Sequence, residues 1–79
     1  MAFKLTVAQV DKNVFQGEVI QVTCPGESGD VTILAHHSAL VTPLRHGELR
    51  IVDAQGSVTT IPVSSGVLEV GGNEATVLL

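Results

Sequence analysis

Apolar and polar residues alternate along most of this chain with the period of a β-strand. Phe3, Leu5 and Val7 alternate with Lys4 and Thr6, and Ile20, Val22 and Cys24 with Gln21 and Thr23. Leu49 and Ile51 alternate with Glu48 and Arg50; Leu68 and Val70 flank Glu69; Ala75 and Val77 flank Thr76. Successive strand side chains point to opposite faces, so each run predicts one buried and one solvated face. Ile20, Val22, Leu49, Ile51, Leu68 and Val70 are predicted to face inward. Cys24 shares the phase of Ile20 and Val22 and is predicted to be a buried structural thiol. No long segment carries the helical period, so little or no helix is expected.

Turn formers separate these runs at short intervals. They are Asp11-Lys12-Asn13, Pro25-Gly26 through Ser28-Gly29, His46-Gly47, Ala54-Gln55-Gly56, Ser65-Gly66 and Gly71-Gly72-Asn73. Such residues supply positive φ or bond locally to the backbone. Gly17, Gly29, Gly47 and Gly66 are assigned to structural turns. Many short strands at this spacing predict an all-β fold, a sandwich or flattened barrel. Glu74 to Leu79 reads as the last strand. With no linker, repeat or low-complexity tract, residues 1–79 are expected to form one domain.

Composition sharpens this picture. At 79 residues the chain buries only about 60% of the surface its unfolded form exposes, so a partner's support would matter. Charged residues make up 15%, against about 25% in an average domain, which leaves weakly hydrated surface suited to docking. The net charge is −4, and the basic residues Lys4, Lys12, Arg45 and Arg50 are scattered. Without a basic stripe or stacking aromatics, nucleic-acid binding is not expected. A single cysteine excludes an internal disulfide and suits a reducing compartment. No apolar run approaches the ~20 residues of a membrane-spanning helix, and the N-terminus alternates instead of forming a signal-peptide block.

No candidate chemistry assembles into an active site. His36 and His37 are adjacent, and on a strand they would point apart. Cys24 and His46 show no ligand spacing to them, so no metal site is expected. Asp30 and His37 are a possible acid–base pair with no third group. Ser64-Ser65-Gly66 lacks the strand–turn–helix setting of a nucleophile elbow and reads as a tight turn. Gly71-Gly72-Asn73 lacks the lysine and following helix of a phosphate loop and reads as a hairpin. No cofactor or small-molecule ligand is expected.

Three ordered landmarks carry a family resemblance over essentially the whole chain. The first is Phe15-Gln16-Gly17-Glu18-Val19. The second is Pro25-Gly26 followed by Gly29-Asp30, Ile33-Leu34 and His37-Ser38-Ala39-Leu40-Val41-Thr42. The third is Ser65-Gly66-Val67-Leu68-Glu69-Val70, with Asn73 and Val77-Leu78 after it. Together they resemble the N-terminal domain of the epsilon subunit of F-type ATP synthases, called delta in mitochondria. Val31 stands where the family usually has an aromatic, Thr32 where it has Gly, Ala35-His36 where it has Pro-Gly, and Ser38-Ala39 where it has Ala-Pro.

The resemblance implies a flattened sandwich of about ten short strands with no catalysis of its own. It implies two partners, the gamma subunit and the membrane c-ring, and a role in coupling c-ring rotation to the gamma shaft. Asp30, His37 and Ser38 fall at the family's ring-facing end, where Asp30 would accept and His37 donate hydrogen bonds. The implied location is peripheral, on the cytoplasmic face of a bacterial inner membrane or the organellar equivalent, without direct membrane insertion. The family's pattern continues into a pair of C-terminal helices. No such helical domain is expected in these 79 residues, nor the ATP binding and inhibition that belong to it. The competing reading is a biotinyl or lipoyl carrier, also small, acidic and all-β. It needs a lysine at a mid-chain hairpin tip, whereas both lysines, Lys4 and Lys12, lie near the N-terminus.

Overall fold

The computed structural model describes all residues from Met1 to Leu79. It contains eight strands and no helix: β1 (Phe3–Gln9), β2 (Lys12–Gly26), β3 (Gly29–Ile33), β4 (Leu40–Leu44), β5 (Gly47–Asp53), β6 (Val58–Val63), β7 (Gly66–Gly71) and β8 (Glu74–Leu78). The all-β sandwich expected from alternation is present. The strand count is eight instead of about ten because β2 runs 15 residues without a break.

β2 organises both layers. Its first part pairs antiparallel with β1, from Gln9↔Lys12 to Phe3↔Val19. Its second part pairs with β5, from Val19↔Asp53 to Thr23↔Arg50, and with β3, from Val22↔Ile33 to Gly26↔Gly29. One layer therefore follows β2-β1-β8-β7-β4, with β1 and β8 parallel, and the other β6-β5-β2-β3. A single pair, Gly26↔Leu44, joins the far end of β2 to β4 and so links the second layer to the edge of the first, giving a flattened barrel.

A register shift between Val19 and Gln21 lies where β2 passes from one layer to the other. The extra residue of a bulge resets the alternation that follows it. Val19 is fully buried before the shift, Val22 and Cys24 after it, and Ile20 is 37% exposed. This corrects the expected inward position of Ile20: period-two counting places it with Val22, and the bulge ejects it. A second shift, near Asn13–Phe15, likewise leaves Val14 exposed. The other five expected core residues, Val22, Leu49, Ile51, Leu68 and Val70, are all buried. They belong to one cluster with Phe3, Leu5, Val7, Ile33 and Val77, drawn from both layers.

The glycines divide by role. Only Gly29, among those assigned to turns, has a left-handed φ, at 136°, beside the two-residue turn between β2 and β3. Gly17 is not in a turn; it lies mid-β2 opposite Leu5. Gly47 and Gly66 open β5 and β7 and serve close approach: a Cβ at Gly47 would lie 2.9 Å from the Pro25 ring. The Gly71-Gly72-Asn73 hairpin is confirmed. Gly71 pairs with Glu74 across Gly72 and Asn73, both with φ 58°, the signature of a type I′ turn.

Candidate functional site

The predicted site residues lie along β3 and the loop after it. β3 hydrogen-bonds only to β2, so its other side is a free sheet edge. Asp30, Thr32 and Leu34 alternate outward as exposed residues, while Ile33 is buried. The loop from 34 to 39 then crosses to β4. Within it His36 and Ser38 are exposed and His37 is half-buried.

Asp30 and His37 do not form a pair. The His37 N–H donates to the Leu34 carbonyl at 3.3 Å, which holds His37 beside the far end of β3. Asp30 is at the other end, opposite Pro25. Four residue steps of extended chain, at about 3.3 Å each, separate Asp30 from Leu34. The acid–base reading therefore fails on geometry, and the expected compact end becomes a stripe along an edge. Histidines 36 and 37 are also not on a strand as assumed; Ala35 and His36 form a turn, with His36 at φ 61°.

One nitrogen of the His37 ring is engaged within the loop. Its Nδ1–H donates to the Ser38 carbonyl at 2.8 Å, because a carbonyl only accepts. In the neutral ring Nε2 is then an acceptor. With Nδ1 engaged by Ser38, Nε2 is the ring nitrogen left to face a partner.

Asn73 ties this loop to the rest of the sandwich, a contact that local sequence reading missed. Its Oδ1 accepts the His36 N–H at 2.7 Å. Its Nδ2 donates to the Ala2 carbonyl at 3.2 Å. Its own carbonyl accepts the Lys4 N–H at 3.4 Å. Beside the loop is an apolar depression lined by Met1, Ile20, Leu34 and Ala35 together with Gln21. The ejected bulge residue thus contributes to the surface next to the site.

Cys24 is no part of this surface. It is fully buried, and burial pushes its thiol up to about 12 from a value of 9.0, because a thiolate loses its hydration there. Thiol reagents at pH 8 should leave the folded protein unmodified and label it within minutes of adding denaturant, as followed by mass spectrometry. Fast labelling of the native state would show Cys24 accessible. The unfolded thiol ionises at a lower pH than the folded one. The unfolded state therefore binds fewer protons above pH 9, and this group lowers stability as pH rises from about 9 to 12.

The fold is a small β-sandwich with a hydrogen-bonded loop at a free sheet edge. The family model described as "ATP synthase, Delta/Epsilon chain, beta-sandwich domain" matches residues 2–79, and the chain belongs to that family. The ATP synthase epsilon chain of Delftia acidovorans is 40% identical over 72 residues, covering 91% of this chain and 52% of that protein. The epsilon chain of Dichelobacter nodosus is 32% identical over 76 residues, covering 96% and 53%. The chain thus spans about half the length of the relatives it matches. Among solved structures, a chain of the Euglena gracilis mitochondrial ATP synthase, in an assembly that includes the c-ring, superposes with a TM-score of 0.92 at 23% identity. It covers 98% of this chain and 49% of that one. A chain of the Tetrahymena thermophila mitochondrial ATP synthase central stalk and c-ring superposes with a TM-score of 0.77 at 15% identity, covering 95% and 60%. These two likenesses establish the fold.

Proposed function

We propose that this domain is a non-catalytic rotor element of an F-type ATP synthase, joining the gamma subunit to the c-ring and passing ring rotation to the shaft. It works peripherally, at the cytoplasmic face of a bacterial inner membrane or its organellar equivalent. The ring-facing surface is the β3 edge with its loop, where Asp30, His37 and Ser38 meet the ring loops. The observation that carries this reading is the surface loop tied to Asn73 at a free sheet edge, in a fold whose relatives are epsilon chains. Exposed apolar residues on the sandwich, such as Val41 at 69% and Leu34 at 52%, suit a chain that is covered by partners. The carrier reading loses its support: Lys12 lies beside the first hairpin, between β1 and β2, and the family match covers nearly the whole chain.

Replacing Asp30 and His37 together with Ala should leave the thermal midpoint nearly unchanged, since neither side chain is buried. Reconstitution with gamma and a purified c-ring should show ring affinity down about ten- to a hundredfold, with gamma binding intact. Wild-type ring affinity and coupling in the double variant would remove these residues from the interface.

A further inference from the structure

We propose that Asn73 is the positioning residue of the docking loop, its side chain holding the β3–β4 connection in the shape that meets the partner. This rests on the loop's docking role proposed above. Residues 34–39 make local hydrogen bonds, His37 N–H to the Leu34 carbonyl and the His37 ring to the Ser38 carbonyl. Their one hydrogen bond to another part of the fold is the 2.7 Å bond from the His36 N–H to Asn73 Oδ1.

That bond acts at the loop residue whose backbone is left-handed. His36 has φ 61°, a region that non-glycine residues seldom occupy and that persists when the surroundings over-determine it. The Asn73 carboxamide is suited to this task. Asn73 itself sits at φ 58°, a conformation that Asn tolerates better than most residues. The tight turn between β7 and β8 points its carboxamide at two distant segments. Oδ1 takes the loop amide and Nδ2 fastens the N-terminal segment at Ala2. A shorter serine or an apolar side chain supplies only one of these functions or neither. The device couples the β7–β8 hairpin to a loop whose other tie to the body of the fold is the packing of Ala35 against the core.

Two variants separate the loop bond from the turn. Asn73→Gly keeps the left-handed turn and deletes both side-chain bonds. Asn73→Asp keeps an acceptor for the His36 N–H and loses the donor to Ala2. Amide exchange of the 79-residue chain, resolved by NMR, reads the loop directly. The His36 amide should exchange at least about tenfold faster in Asn73→Gly and near the wild-type rate in Asn73→Asp. Affinity for a purified c-ring should follow the same order, falling about five- to tenfold in Asn73→Gly and recovering in Asn73→Asp.

A wild-type His36 rate in Asn73→Gly, or equally fast exchange in both variants, would overturn the tether. Faster exchange with unchanged ring affinity would reduce Asn73 to a structural residue and overturn the positioning role. If the wild-type domain itself fails to bind the ring, the proposed function falls, and a wild-type His36 rate in Asn73→Asp then supports the tether alone.

Discussion

Truncating Leu68 to Ala is expected to lower the unfolding free energy by about 2–5 kcal/mol, read as a shift of the denaturant midpoint at constant slope. Leu68 is fully buried in β7. Thr42 of β4 and Val77 of β8 are its neighbours across the sheet. Removing its isobutyl group forfeits transfer free energy and leaves a hole that close-packed strands fill poorly. A loss of this size is a large part of the stability of a domain with so few buried residues. Ile20→Ala is the matched control. Ile20 is as hydrophobic and shares the period-two phase, yet the bulge leaves it 37% exposed, so its truncation should cost below about 1 kcal/mol. A loss under about half a kcal/mol at Leu68, or equal losses at both sites, would contradict the register described for β2 and β7.

The same pair shows how far the sequence carries. Alternation locates β1, β5, β7 and β8 and their buried faces, because within an unbroken strand the face follows from counting. It fails at Ile20 because a bulge is set by where β2 must leave one layer for the other, and no residue at the bend announces it. Likewise the turn chemistry of Gly71-Gly72-Asn73 is legible, since left-handed φ selects Gly and Asn locally. The use of the Asn73 side chain is not legible, since its partners His36 and Ala2 are remote in sequence. Asp30 is exposed and His37 half-buried, and their separation depends on the extended path of β3, which motif matching treats as a point. Glycine's preference for turns points Gly17 to a turn, but its position opposite Leu5 inside a strand is set by pairing.

Gly66 gives the second large effect. A Cβ added there would lie 2.3 Å from the Leu78 carbonyl oxygen and 3.4 Å from the Leu79 Cα. These are backbone atoms, so no rotamer change relieves the clash. The end of β8 must shift, which strains the Val67↔Leu78 pairing and the 2.9 Å bond from the Leu79 N–H to the Ala8 carbonyl. Gly66→Ala should therefore cost about 1–3 kcal/mol or more, the range of overpacking in a rigid interior. Exchange of the Leu79 amide should rise before global unfolding, because the displaced segment is at the margin of the sheet. Gly71→Ala is the control on the same strand. Nothing lies within 4 Å of its added Cβ and its φ is not positive, so that change should be neutral or slightly stabilising through the unfolded chain. If Gly66→Ala and Gly71→Ala unfold within about half a kcal/mol of each other, the close approach of β7 to the end of β8 does not constrain this sandwich. Gly66 would then be an ordinary strand residue.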